Sequence, residues 1–423
     1  MSRLKDSWNA SGTDWTQFKN EIKALAERTF VKKCAAEDIM LMSKNTDALP
    51  DDADEEKNFY THLISPKDIW VKEKRSKSGE VRSVKLLNFS KKTFVDRGGQ
   101  ELIDEYEKST KTLIGIDKIL YYVSPKFFNS LGARTGLSGA AAAEPCLERD
   151  LLFAKRLSIK EEAKEEEVSP IVSLVYREEN KNKKLFAILS DRYSYIPQNY
   201  IISIVEKIIS DGKLGSTKCD SWYIDNSISR VYLEFPDEAK EISEAYELED
   251  EYVPGLLLES SDVGVSSLTV YATCRCGHSV LPFGKIYKRH TGKIDIEKIC
   301  EQIDSKIFPE YRKLPERMCE LLAVDVEKPM LTISNLFEEI ELEEIIGQRN
   351  TKYIKEKMEE LIDPDSPCTM YDIISQVIQL PAITTGLSAT AQNKLVEAIK
   401  GAPYVDYDSI VDIEPKATIK VEV

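Results

Sequence analysis

Residues 171–190 read IVSLVYREENKNKKLFAILS. The runs IVSLVY and KLFAILS are rich in β-branched and apolar residues, and the polar stretch REENKNKK between them predicts an antiparallel hairpin. Downstream, DRYSYIPQNYIISIVEKIISDG starts irregularly and becomes an amphipathic helix with Ile201, Ile204, Val205 and Ile208 on one side. SWYIDNSISRVYLEF supplies a further strand pair, and GLLLESSDVGVSSLTVYATC two more strands around a tight turn. Strand, strand, helix and then more strands predict an α+β fold with a mainly antiparallel sheet.

The flanking regions differ from this centre. Residues 1–45 read as helical around WTQFKNEIKALAERTF, with Ser11 and Asp14 in capping-box positions. TDALPDDADEEK, residues 46–57, reads as a loop. IWVKEKR and VRSVKLLNF around SKSGE predict a hairpin over 68–89. Residues 100–160 read as mainly helical, Pro125 opening one helix and Gly136 ending it, and the charged run KEEAKEEE marks a boundary near 160–168. Residues 293–400 are again amphipathic, with Thr369 and Asp372 forming a capping box and Gly401 closing the last helix. The expected organisation is an N-terminal helical segment plus basic hairpin (1–110), an α+β core (111–292) and a helical C-terminal region with a short β tail (293–423).

The 423 residues carry 58 Lys+Arg against 73 Asp+Glu, a net charge of −15, with 42% hydrophobic and 31% charged residues. That mix is globular rather than disordered. The charge argues against a protein that coats duplex DNA with its whole surface, because phosphate binding needs positive charge, at least locally. The charge is unevenly spread: residues 66–97 hold ten basic and four acidic side chains, a net of +6, whereas 236–262 hold ten acidic side chains and one Lys, a net of −9. The N-terminus shows no apolar signal region and no stretch of about 18 apolar residues occurs, so neither secretion nor a membrane span is expected. Eight scattered cysteines do not make a disulfide scaffold and fit reduced thiols in a cytoplasm.

The chemistry-bearing patterns are few. CRCGH places Cys274, Cys276 and His278 on one strand face, a set that would accept zinc if His290, Cys300 or Cys319 completed it. The alternative is two core-facing strand cysteines and a turn histidine. KIYKRHTGK puts Lys288, Arg289 and His290 in a compact basic loop, suited to a phosphate or carboxylate. Arg192 and Tyr193 lie in a Tyr-rich segment, and such Tyr/Arg pairs can stack bases while contacting phosphates. Lys72, Lys74, Arg75 and Arg82 share the basic hairpin, whose bland reading is an edge strand protected by lysines. No P-loop, GxSxG elbow, HExxH or HxE…CxxC pattern is present.

Several segments together resemble a family of phage, prophage and plasmid proteins known as domain of unknown function 932. They are FAILSDRYSYIPQNYIISIVEKI, GLLLESSDVGVSSLTVYATCRCGH, KIYKRHTGKID and TMYDIISQVI, with SPKFFNSLGARTGL as a fifth match. The resemblance covers roughly residues 115–400. It departs from the family pattern at Glu259–Ser260–Ser261, where the family has Asn-Ser, and at Cys276, where the family has Asn. It implies a phage or mobile-element origin, hence the host cytoplasm, and brings no reaction or catalytic residue with it.

The leading expectation is a non-catalytic protein that binds nucleic acid, single-stranded DNA above all, in replication or recombination, as an oligomer. Lys72, Lys74, Arg75, Arg82, Arg192, Lys288, Arg289 and His290 would contact phosphates and Tyr193 would stack. Two alternatives stand beside it. One is an acidic protein-interaction factor with a host or phage partner, such as a defence antagonist or assembly factor. The other is a metal-dependent enzyme with zinc at Cys274, Cys276 and His278.

Overall fold

A computed structural model of the chain describes residues 2–44, 46, 49–69, 84–158, 161–162, 167–168, 170–248, 250–290 and 294–414. In chain order the described strands are β1 (Asn9–Gly12), β2 (Thr29–Ala35), β3 (Met40–Ser43), β4 (Asn58–Ile64), β5 (Val84–Ser90), β6 (Thr112–Ile116), β7 (Ile119–Val123), β8 (Glu161–Glu162), β9 (Glu167–Val168), β10 (Ile171–Glu179), β11 (Asn182–Ser190), β12 (Lys218–Asp225), β13 (Ser229–Glu234), β14 (Tyr252–Ser260), β15 (Leu268–Cys276), β16 (Ser279–Lys288), β17 (Asp325–Val326) and β18 (Cys368–Thr369). The longer helices are α1 (Trp15–Ala26), α2 (Lys91–Lys108), α3 (Pro125–Thr135), α4 (Leu147–Leu157), α5 (Tyr200–Asp211), α6 (Pro236–Tyr246), α7 (Ile296–Lys306), α8 (Lys313–Leu321), α9 (Pro329–Glu339), α10 (Gln348–Leu361), α11 (Met370–Ile383) and α12 (Ala389–Ile399).

The fold is α+β and mainly antiparallel, as the hairpin pattern predicts. Of the described strands, β8–β9 and β17–β18 form two-stranded sheets of their own, and the other fourteen build two large sheets. One has eight strands in the order β2-β10-β11-β7-β6-β3-β4-β5 and the other six in the order β1-β12-β13-β14-β15-β16. Every neighbouring pair in them is antiparallel except β7 with β11, where Tyr122 lies opposite Lys184 and Val123 opposite Leu185. The 171–190 hairpin closes through Asn180 and Lys181, both left-handed (φ 50° and 69°), the geometry of a two-residue turn matched to strand twist. Alternation along β7 splits its side chains between two cores. Tyr121 and Val123 pack with Phe127, Phe128 and Leu131 of α3, while Tyr122 packs with Leu102, Ile103 and Tyr106 of α2.

The six-stranded sheet is covered on one face along the length of β15. Leu268, Val270 and Ala272 meet α1, α5 and α7. Two residues further on, Cys274 and Cys276 meet the C-terminal helices through Met318, Ile374 and Leu395 among others. Helix α5 forms where the Ile201, Ile204, Val205 and Ile208 spacing predicts and buries those residues. The Thr369/Asp372 capping box opens α11, and Gly136 ends α3 in the left-handed region at φ 71°.

Three stretches differ from the sequence reading. Within 1–45 the helix is confined to Trp15–Ala26, with Asp14 rather than Ser11 capping it, and Thr29–Ala35 and Met40–Ser43 are strands. TFVKKCA is captured by antiparallel pairing with β10, from Arg177 opposite Thr29 to Ile171 opposite Ala35. Residues 112–123, read within a helical stretch, are a hairpin turning at Asp117 and Lys118, again both left-handed (φ 50° and 66°). Of the hairpin expected over 68–89, residues 70–83 lie outside the described residues, Asp68 and Ile69 are helical, and the second arm forms β5 but pairs with β4, Val84 opposite Ile64 and Ser90 opposite Asn58. The ATIKVEV tail also lies outside the described residues.

Candidate functional site at the seam of the two sheets

The ends of β11 and β14–β16 meet at a seam built around one buried cation. Arg177 of β10 is 1% exposed. Its Nη2 donates to both carboxylate oxygens of Asp262 at 3.1 and 3.2 Å, and its Nε donates to Thr29 Oγ1 at 3.2 Å. Its Nη1 donates to Asn226, and the guanidinium lies 4.6 Å from the Phe186 ring centre. Asp262 also accepts from Gln198 Nε2 at 2.9 Å, and Gln198 in turn accepts from Ser229. Arg177 belongs to the eight-stranded sheet, whereas Asp262, Asn226 and Ser229 belong to loops and strands of the six-stranded one. A buried charge must be paired and hydrogen-bonded, and this set satisfies both sides. The Ser260–Ser261–Asp262 turn is therefore the inter-sheet clasp.

Just outside the clasp, the segment after β11 meets the end of β16. Ser194 N donates to His290 O at 2.8 Å, and the rings of Tyr193 and His290 stack with centroids 4.5 Å apart and planes 12° off parallel. His290 Nε2 lies 2.9 Å from Ser266 O, which can only accept, so Nε2 carries the proton. Burial holds the His290 ring below its ordinary value of 6.5, and burial raises the Tyr193 phenol with the Asp262 charge adding to the rise. Both rings are thus neutral at neutral pH. Gly264, at φ 78°, makes the close approach: a Cβ there would sit 2.7 Å from Leu189 Cδ2.

Beside this contact lies a cleft of about 480 Å³. One wall is the outer face of α3, with Lys126, Asn129, Ser130 and Arg134 at helical spacing. The other is Leu189 and Ser190 of β11 and Val263–Val265 of the clasp loop. Burial lowers the Lys126 ammonium from its ordinary value, and Asp225, 3.9 Å away, opposes that fall. Arg192, Lys288 and Arg289 stand at the same end of the sheets. Among the described residues no carboxylate pairs with Arg134, Arg192, Lys288 or Arg289.

The structure thus brings together Arg192, Tyr193, Lys288, Arg289 and His290. It gives His290 a buried place beneath Tyr193 rather than an exposed one. Lys72, Lys74, Arg75 and Arg82 lie outside the described residues. Lys126 and Arg134 were not singled out by the sequence, where they look like an ordinary solvated helix face. The signal was their spacing with Asn129, opposite the apolar Phe127, Phe128 and Leu131.

The cysteine–histidine set does not converge. Cys274 and Cys276 are buried with sulfurs 3.8 Å apart, while His278 is exposed on the β15–β16 turn. That turn is held by Gln379, which donates to Cys276 O at 2.8 Å and accepts from His278 N at 3.1 Å. Burial, with Cys274 beside it, pushes the Cys276 thiol well above its ordinary value. Among the described residues no group of three His, Cys, Asp or Glu side chains is placed to hold a metal ion. No described helix is long and apolar enough to cross a membrane.

Compared with known protein families, curated proteins and solved structures, the chain finds no match.

Proposed function

We propose that this chain binds single-stranded nucleic acid non-catalytically along the seam cleft. The observation that carries the reading is the convergence of sequence-distant basic segments. Arg192–Tyr193 and Lys288–His290 touch each other, and the cleft beside them is walled by Lys126 and Arg134. Phosphates would meet Lys126, Arg134, Arg192, Lys288 and Arg289. Tyr193, held from behind by the neutral His290 ring, offers the edge of a fixed platform, and Tyr287, 55% exposed at the end of β16, offers an open ring face. The net charge of −15 disfavours coating of a duplex by the whole surface, and a flexible single strand can follow a local basic cleft. The family resemblance of these same segments supports a mobile-element setting in replication or recombination. Fluorescence anisotropy with a labelled thymidine oligonucleotide tests the proposal. Binding at low salt that weakens in Arg134→Ala/Arg289→Ala supports it, and no binding at low salt overturns it.

The rival reading, a basic protein partner, is supported by the acidic outer face of α6, where Glu241 and Glu244 are exposed, although Glu241 contacts Arg312 at 2.9 Å and Glu244 contacts Lys240 at 3.8 Å. A stoichiometric basic protein retained by the immobilised chain, and lost in Glu241→Lys/Glu244→Lys, would favour it.

A further inference from the structure

A second recess lies on the other side of the eight-stranded sheet. Leu120 and Tyr122 of β7 face it, whereas Tyr121 and Val123 face α3. Its volume is about 310 Å³, at the lower end of the ~300–1,000 Å³ typical of small-molecule pockets. Its floor is apolar and largely aromatic: Phe89, Phe94, Leu120 and Tyr122. Phe89 and Phe94 pack edge to face at 6.0 Å, and Phe94 and Tyr122 at 6.1 Å, so the rings are fixed by one another.

The rim is cationic. Arg97 of α2, Lys181 and Lys183 line it. Lys183 is engaged by Glu178 at 3.0 Å, but among the described residues no carboxylate pairs with Arg97 or Lys181. Two uncompensated cations over an aromatic floor are unusual in a chain of net charge −15. The rim is also preformed. Lys181 sits on the two-residue left-handed turn, and Asn182 Nδ2 donates to the Arg97 carbonyl, tying that turn to α2.

We propose that this recess is a binding site for a mononucleotide, its base lying on the Phe89–Phe94–Tyr122 floor and its phosphate between Arg97 and Lys181. The volume suits one ring system and one charged group, not a run of polymer. Aromatic floors take planar rings, and guanidinium and ammonium groups take phosphate. The site is separate from the seam cleft and does not depend on that reading.

Isothermal titration of the full chain with AMP tests it, with ribose 5-phosphate and adenosine as partial probes. AMP is expected to bind with a Kd below about 1 mM and each partial probe about tenfold more weakly, since each lacks one half of the recognised chemistry. Arg97→Ala and Lys181→Ala, both on exposed side chains, each weaken AMP about tenfold, as loss of a charged hydrogen-bond donor does. Lys352→Ala, at an exposed lysine of α10 that lines neither site, leaves AMP binding unchanged. AMP that binds no better than ribose 5-phosphate, that is indifferent to Arg97→Ala/Lys181→Ala, or that is lost in Arg134→Ala/Arg289→Ala overturns the proposal.

Discussion

Replacing Asp262 by Ala removes the acceptor of the inter-sheet clasp and leaves Arg177 buried with its charge. Arg177 and Asp262 are each 1% exposed, so water cannot take the carboxylate's place without opening the seam. Breaking a buried pair by deleting one partner costs about 3–5 kcal/mol, because the remaining charge is uncompensated. Thr29 and Asn226 still accept from Arg177, which places the expected loss nearer 3 than 5 kcal/mol. The double variant Arg177→Met/Asp262→Leu removes both charges and keeps apolar volume against Phe186. It should lose less than the sum of the two single variants, by at least about 1.5 kcal/mol. Urea unfolding followed by intrinsic fluorescence reads this, Trp8 and Trp222 being buried in the core of the six-stranded sheet. A single-variant loss under about 1 kcal/mol, or strict additivity in the cycle, would refute the assignment of the clasp as the bolt between the sheets.

Other outcomes follow from neighbouring contacts. Lys184, 2% exposed, donates to Asp6 and Glu105 at 2.9 Å each, so Lys184→Met strands two carboxylates. Amide exchange at Leu4–Trp8 should accelerate in that variant, and unchanged exchange would show that residues 4–8 are held by other contacts. Burial, and after it the contact with Asp6, raises the Glu105 carboxyl above its ordinary 4.5. The folded state therefore binds that proton more readily, and the contribution is full below pH 4.5 and fades as pH rises through the elevated value. Glu105→Gln should flatten that part of the stability–pH curve. His290 has the opposite sign. Its folded value lies below 6.5, so its contribution is present above pH 6.5 and is lost as pH falls through the depressed value, and His290→Gln should remove this acid sensitivity. Thr369→Ala breaks the reciprocal cap of α11 and should cost about 1 kcal/mol by chemical denaturation.

What could be read from the sequence was what is local. The 171–190 hairpin, α5 and the start of α11 each carry their own signal: β-branched runs, a 3.6-residue apolar spacing, a Thr-x-x-Asp cap. The hairpin at 112–123 is not legible because its strands are only five residues each and Asp117–Lys118 is the whole polar break between them, against the eight-residue polar stretch REENKNKK of the 171–190 hairpin. Residues 29–35 became a strand because β10 offered a pairing edge, a tertiary effect no local propensity records. The same divide runs through the site. Arg192, Tyr193 and Lys288–His290 were visible as basic and aromatic segments, but not their contact. Arg177 and Asp262 are 85 residues apart, and only the folded chain shows that a turn-forming Asp is the partner of a buried Arg.

The most direct test of the central claim is the salt dependence of oligonucleotide binding. Five cations along the seam, Lys126, Arg134, Arg192, Lys288 and Arg289, predict a slope of log K against log salt near about −3.5 for a single strand. Arg134→Ala/Arg289→Ala should bind more weakly and lower that slope to roughly −2, since two phosphate contacts are lost. A slope near zero, or one that the double variant leaves unchanged, would contradict the account.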